Sequence, residues 1–362
     1  RTIECSTQRN KFRGARATAA TRNVGMTKLE RLQNIGIRRV GTPKRGFRYQ
    51  SQNGRLTKAD LERIDQLRIP PAWIDVAINP AAKGRVQAVG RDAAGRWQYL
   101  YHEDHTRLQD VRKFERIGKF AQALPKMRAT IRRHLQQPGL GRERVLAAVL
   151  RILSTCYMRP GSEVYASENG SYGIATLRRK HITVKGDLIE FDFPGKSGVR
   201  QQRQLRDRQV ARVIRATLKL PGFNVFKYQN ENGETIPVTR QHINDYIKEV
   251  MGDNFSAKDF RTWAGTLVCA CALARNGDDA TVPSSVTGVK KKIVAAIKET
   301  AEVLGNTPAV CRSSYVCPEI IHSFEKGKVI DACSTSLNGL VTYRGHGLQK
   351  AERALLKFLK RK

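Results

Sequence analysis

Acidic side chains are scarce in this sequence: 32 Asp and Glu stand against 66 Lys and Arg in 362 residues, leaving a formal net charge of +34. A field of that sign and size draws polyanions and gives an affinity that falls with salt. An anionic membrane surface is the competing partner, but no strongly amphipathic Lys/Trp segment supports it. Long hydrophobic runs are also missing, and none approaches the ~20 residues that span a bilayer. The seven cysteines, at positions 5, 156, 269, 271, 311, 317 and 333, form no C-x-x-C pair. That excludes a zinc knuckle and a secreted disulfide framework, and reduced thiols in a cytosolic or nucleoid compartment are the simpler account. No G-x-x-x-x-G-K-[ST] occurs, so ATP-driven chemistry has no phosphate loop to rest on. Nucleic acid is the partner that these absences leave.

The first 25 residues carry one acid, Glu4, and no methionine precedes Met26. Two readings fit: an upstream segment with Met26 as the true start, or an Arg-, Thr- and Ala-rich organelle transit peptide. Disorder is expected there, and the basic extension is drawn as residues 1–34. Cytoplasmic, nucleoid-associated localisation is expected for the rest.

Residues 35–106 read as a small β-rich domain, with Asn-Gly and Gly-Arg turns between Val-, Ile- and Tyr-bearing segments. LTKADLERIDQLRIPP inserts a helix that Pro70 and Pro71 end. In RDAAGRWQYLYH, Trp97, Tyr99 and Tyr101 alternate with Arg96, Gln98 and His102, so one face is expected to fill the core while the other lies in a DNA groove. HEDH (102–105) is read as a strand end entering a linker and is a weak metal candidate.

From Leu108 the period turns helical, with Val111, Phe114, Ile117, Leu124, Met127, Ile131 and Leu135 at three- and four-residue steps. Residues 107–334 are read as a mainly helical domain. HITVKGDLIEFDFPGKSGVRQQRQL interrupts it as a three-stranded inserted sheet with K-G-D and P-G-K-S-G turns. GLQKAERALLKFLKRK, within 335–362, is a basic C-terminal helix. Asp278 and Asp279 in RNGDDA are read as a turn cap. The class is therefore α+β.

Several residues sit beside structure breaks, where side chains are free to meet a ligand. Arg159 follows a helix in YMRPG, Lys196 sits in the P-G-K-S-G turn, and Arg261 opens a helix that becomes almost wholly apolar. Asn306 precedes the Thr307-Pro308 helix start of LGNTPAVCRSSY, which closes on Tyr315 about two turns in. Alone, Tyr315 reads as one more core aromatic. Phosphoryl transfer to tyrosine, however, needs a set of this kind. A phenol of pKa ~10 is a weak nucleophile, so its attack needs electrostatic help. Two guanidiniums can bind the non-bridging oxygens, and a lysine in a tight turn can protonate a departing 5′ oxygen. The set holds no carboxylate, so no divalent metal is implied. Spacing alone cannot gather these distant residues into one site.

The motifs themselves do more. Residues 35–332 resemble the poxvirus-like and bacterial type IB DNA topoisomerases. MRPGSEVYASENGSYGIATLRRKHI looks like the family's first catalytic-arginine motif, FPGKSG like its hairpin lysine, KDFRTWAGT like its second arginine motif, and LGNTPAVCRSSY like its nucleophile segment. The resemblance makes Arg159, Lys196, Arg261 and Tyr315 catalytic, with Lys258 as a nearby basic residue. Asn306 stands where poxvirus members carry histidine, and it implies hydrogen bonding without proton transfer. GRDAAGRWQYLYH is similar to the strand that touches bases in the major groove, which offers Arg91, Arg96, Gln98, Tyr99 and Tyr101 as DNA contacts. The resemblance implies a tyrosine recombinase-like catalytic fold and a monomer that clamps duplex DNA. It also implies relaxation of both supercoil signs through a 3′-phosphotyrosyl intermediate, without ATP, metal or other cofactor. Tyrosine recombinases are the nearest alternative, but they carry histidine where Lys258 stands and a helical N-terminal domain. A catalytically silent DNA-binding clamp is the other alternative, and the presence of Tyr315 with all three cations argues against it.

Overall fold

The computed structural model describes residues 27–52, 54–93, 95–277, 286–331, 345 and 347–360. The segment expected to be disordered (1–25), Asp278 and Asp279, Cys5, Cys333 and residues 335–344 lie outside them. The chain divides into two compact units, the first ending at Val111 and the second starting at Arg112.

The first unit is a five-stranded antiparallel sheet in the order β2-β1-β3-β4-β5, with β1 Ile37–Thr42, β2 Gly46–Gln50, β3 Ile74–Ile78, β4 Val86–Arg91 and β5 Trp97–Tyr101. Two helices, α1 (Lys28–Ile35) and α2 (Lys58–Gln66), cover it. Helix α1 begins inside the stretch that the sequence reading assigned to the extension. It forms because Thr27 caps it: Thr27 Oγ1 accepts from the Glu30 N–H at 3.3 Å, and Glu30 Oε2 accepts from the Thr27 N–H at 2.7 Å. Leu32 then buries against Ala77, Val86 and Val89 on one face of the sheet, while Ile64 of α2 buries with Ile37, Val76, Ile78 and Ala88 on the other.

Coverage on both faces corrects the reading of β5. Its faces do not divide into core and DNA sides, because Trp97 packs into the α1-side core and Leu100 into the α2-side core. Beyond Trp97 the first face opens to solvent, with Tyr99 38% and Tyr101 45% exposed and their rings stacked 6.3 Å apart. HEDH is likewise not a linker. It starts helix α3 (Glu103–Leu135): the Asp104 N–H donates to His102 Nδ1 at 3.2 Å, and Arg85 Nε donates to His105 Nε2 at 2.9 Å.

The second unit is built around α8 (Ala257–Gly277). Residues 264–274 are buried all round this helix, the pattern of a core helix rather than a surface one. Against it and its neighbours pack most of α3, α4 (Arg142–Cys156), α6 (Arg208–Thr217), α7 (Arg240–Met251), α9 (Val286–Leu304), α10 (Pro308–Ser314) and α11 (Pro318–Glu325), while the short α5 (Glu163–Asn169) follows α4. The inserted sheet has the expected three strands, β6 (Ile182–Lys185), β7 (Leu188–Pro194) and β8 (Arg200–Arg206), in sequential antiparallel order. Phe120 of α3 meets Phe260 edge-on at 4.9 Å, and Phe255 at 5.6 Å, tying α3 to the start of α8.

The C-terminal helix α12 (Lys350–Leu359) is not a free basic tail. Ala351 and Leu355 belong to the main core, and the buried Glu352 carboxylate accepts from both Arg128 Nη atoms at 2.9 and 2.7 Å. A buried carboxylate needs such a paired cation, and the pairing fixes α12 in register. Among the described residues, no helix is long and apolar enough to cross a membrane.

Candidate active site

Arg159 is presented by the end of α4. Tyr157 caps that helix in the left-handed conformation (φ 53°), which turns the chain away from the helix axis. The following carbonyls are then pinned, since the Ile174 N–H donates to Arg159 O and the Ala175 N–H donates to Pro160 O, both at 2.9 Å.

Arg261 lies in the first turns of α8. That turn is fixed by Asp259, whose Oδ2 accepts from the Ser256 N–H at 2.8 Å and whose Oδ1 accepts from Arg116 Nη2 at 2.8 Å. Arg261 is only 2% exposed. It donates through Nη1 to Tyr157 O and through Nη2 to Leu304 O at 2.9 Å. The second acceptor is an orphan carbonyl at the C-terminus of α9, where a cation also meets the negative end of the helix dipole. One guanidinium therefore joins α4, α8 and α9.

Tyr315, expected about two turns into a short helix, is the residue that caps the C-terminal end of α10. Its N–H donates to Cys311 O at 3.0 Å, and its carbonyl accepts from Thr266 Oγ1 at 3.1 Å. Gly265 lets it approach α8: a Cβ there would stand 2.8 Å from Tyr315 O and 2.9 Å from Tyr315 Cβ. The ring lies under the Arg261 guanidinium, 4.9 Å from centroid to Cζ.

The electrostatics of this cluster are those of an activated phenol. Burial by itself pushes the Tyr315 phenol up, but the charge and hydrogen bond of Arg261, with the charges of Arg159 and Lys258, bring it below its ordinary value. Arg159 moves down to about 10, first because it is buried and second because Arg261 faces it, with Tyr315 acting in the opposite sense.

Asn306 follows α9, and its N–H donates to Ala301 O at 2.9 Å. Its Oδ1 accepts from Arg159 Nη2, while its Nδ2 is buried without a partner among the described residues. An amide donor without a partner, on a side chain bonded to the Arg159 guanidinium, suits an anionic oxygen.

The structure thus brings together Arg159, Arg261, Asn306 and Tyr315, with Lys258 in their electrostatic reach. Lys196 is not joined to them. It is exposed in the β7–β8 hairpin, beside Ser197 and Gly198 in left-handed conformations (φ 62° and 74°), and has no hydrogen bond or ion pair among the described residues. In the first unit, Arg91 stacks on Trp97 at 4.8 Å and pairs with Asp75 at 3.6 Å. Arg96 and Gln98 both bond to Asp92, at 2.7 and 2.8 Å, so these two DNA-contact candidates already share an acidic partner. Tyr99 and Tyr101 remain open.

Sequence reasoning missed two cations. Lys113 donates to Ser314 O at 3.3 Å, beside Tyr315. Arg203 of β8 lies within electrostatic reach of Arg261 and Arg159. Its signal was the alternation Gln201, Arg203, Leu205, which places all three on the inward face of β8.

Comparison of the sequence with known proteins points to one group. The family described as "Eukaryotic DNA topoisomerase I, catalytic core" matches residues 103–329, and "Bacterial DNA topoisomerase IB, N-terminal domain" matches residues 46–92. The chain is 36% identical over 274 residues to a protein of Acanthamoeba polyphaga mimivirus named DNA topoisomerase 1B, covering 75% of this chain and 81% of that one. It is 24% identical over 277 residues to the DNA topoisomerase 1B of Vaccinia virus (strain Copenhagen), covering 75% and 84%. Similarity to the DNA topoisomerase 1 of Drosophila melanogaster is 23% over 266 residues, covering 70% of this chain and 25% of that one.

Proposed function

This chain belongs to the type IB DNA topoisomerases, and from that membership we propose that it relaxes supercoils of both signs through a covalent tyrosyl intermediate at Tyr315. The placement of the Tyr315 phenol against Arg159 and Arg261 carries the proposal. In this reading the phenol gives up its proton to solvent water, and its oxygen attacks one phosphorus of the duplex. The bond from phosphorus to the 5′ oxygen breaks, and Lys196 protonates that oxygen. The strand is left as a 3′-phosphotyrosyl link and a free 5′-hydroxyl. Torque turns the free end, and the hydroxyl attacks back to expel Tyr315. The covalent link keeps the phosphodiester energy, so no nucleotide enters the reaction.

Arg159 and Arg261 take the non-bridging oxygens, whose charge grows as the phosphorane forms. The unpartnered Nδ2 of Asn306 supports a hydrogen bond to one of them. An amide carries no proton to give, so the acid is Lys196, which is exposed in its hairpin and free to reach a bound strand. Lys258, three residues before Arg261 where recombinases carry histidine, supports the topoisomerase reading over the recombinase one. The helical unit is read as the fold that both groups share. The enzyme is proposed to act as a monomer on duplex DNA, in the nucleoid-associated cytoplasm.

Relaxation of a supercoiled plasmid in EDTA, without ATP, tests the proposal. The expected result is full relaxation, with a protein–DNA adduct on a denaturing gel when the reaction is quenched with detergent. Strict magnesium dependence, or no adduct, overturns it. A second expectation concerns the acid. Lys196→Ala should slow cleavage by roughly 10²–10⁴-fold, the usual contribution of a general acid. A 5′-phosphorothiolate substrate, whose sulfur leaves without protonation, should restore most of that rate, and no recovery removes Lys196 from the role.

A further inference from the structure

We propose that Arg203 is a third phosphate-binding guanidinium of this site, one that none of the motif residues in the sequence predicts. The inference rests on the reading of Arg159, Arg261 and Asn306 as a phosphate pocket.

The placement of Arg203 is specific. Strand β8 alternates between faces, and its inward positions are Gln201, Arg203 and Leu205, with Gln201 and Leu205 buried. Arg203 Nη2 donates to Gln201 Oε1 at 3.1 Å and Nη1 donates to Gln202 O at 2.9 Å, which hold the plane of the guanidinium. The tip lies against the turn that follows α9: a Cβ at Gly305 would stand 2.8 Å from Arg203 Nη2 and 2.2 Å from Gln201 Oε1. Gly305 is thus open at the one place where the strand's cation comes in, and the next residue is Asn306, whose amide bonds to Arg159.

The charge balance makes this arrangement costly without a ligand. Arg203 forms no ion pair among the described residues. Its guanidinium is held below its ordinary value first by burial, with the neighbouring Arg261 adding to the effect. Arg159 in turn feels Arg203 as well as Arg261. Three guanidiniums gathered with no carboxylate repel one another in a partly dehydrated pocket. An anion with several oxygens relieves all three at once, and a pentacoordinate phosphorane, which carries more negative charge than the diester, relieves them most.

The test uses the full chain with Arg203→Met, which keeps the length and loses the charge, and Arg203→Lys, which keeps the charge. Two readouts are needed. In single-turnover cleavage of a duplex, R203M should be slowed roughly 10- to 100-fold, at or below the range for losing one transition-state donor. Its duplex Kd should stay within about twofold, since one phosphate contact of many is lost. R203K should recover most of the rate. In thermal unfolding without DNA, orthovanadate should raise the melting temperature of the wild-type chain and of Y315F, and fail to do so for R203M. Cleavage by R203M within twofold of wild type overturns the inference. So does vanadate stabilisation that is equal in R203M and wild type, or absent from both. Equal loss of rate in R203M and R203K, with equally lowered melting temperatures, overturns it in favour of a packing role. Because the vanadate readout needs no nucleophile, a wild-type chain that forms no adduct would fail the proposed strand-cleavage function while leaving the Arg203 result standing.

Discussion

Tyr315→Phe is expected to abolish relaxation and the covalent adduct while duplex affinity stays within about twofold. The substitution removes one oxygen and little else. The ring can keep its place under Arg261, and the backbone bonds that position it, from Thr266 Oγ1 and to Cys311 O, do not involve the phenol. Loss of a covalent nucleophile is worth about a millionfold where it has been measured in other enzymes, so any residual rate should lie below the detection limit of a plasmid assay. A duplex-binding measurement run beside the assay separates lost chemistry from lost folding. If Y315F still relaxes plasmid DNA, the nucleophile is another residue. The proposed role is consistent with the lowered phenol: Arg261, Arg159 and Lys258 together outweigh the burial that opposes ionisation.

The candidate site was legible in the sequence because its members lie in short motifs at breaks between elements, although only Arg159, Arg261, Asn306 and Tyr315 are brought together by the fold. YMRPG, FPGKSG and KDFRTWAG each place one candidate side chain, and LGNTPAVCRSSY two, near a helix end or hairpin turn, and such positions follow from local turn chemistry. The hairpin and the long apolar helix α8 were legible for the same reason. What stayed hidden depends on pairings between distant segments. Arg203 looks like one more cation in a polar strand until Gly305 is brought beside it. Helix α1 lies next to an acid-poor segment, and its existence turns on one Thr27–Glu30 capping box and on Leu32 finding the sheet. The burial of α12 depends on Glu352 meeting Arg128, far earlier in the chain. In β5, alternation was read correctly, but helices on both sides of the sheet give each face a core residue.

Arg261 should prove the most sensitive residue after Tyr315, because it combines two roles that usually fall to different side chains. Arg261→Ala is expected to lower cleavage by about 10³–10⁵-fold, the range seen when a guanidinium that stabilises a phosphoryl-transfer transition state is lost. It should also cost stability. The carbonyls of Tyr157 and Leu304 lose their donor in a buried setting, at about 2–4 kcal/mol together, or roughly 5–15 °C in melting temperature for a unit of this size. Arg261→Lys separates the roles. An ammonium can reach one of the two carbonyls and keeps the charge, so part of the stability should return. It cannot hold both carbonyls and also present a planar face to the Tyr315 ring and a phosphate, so cleavage should stay within about tenfold of the alanine variant. Melting curves and single-turnover rates on the three proteins decide the matter. If R261K cleaves within tenfold of wild type, positive charge alone is what the site requires, and the forked geometry that joins α4, α8 and α9 is dispensable for the chemistry.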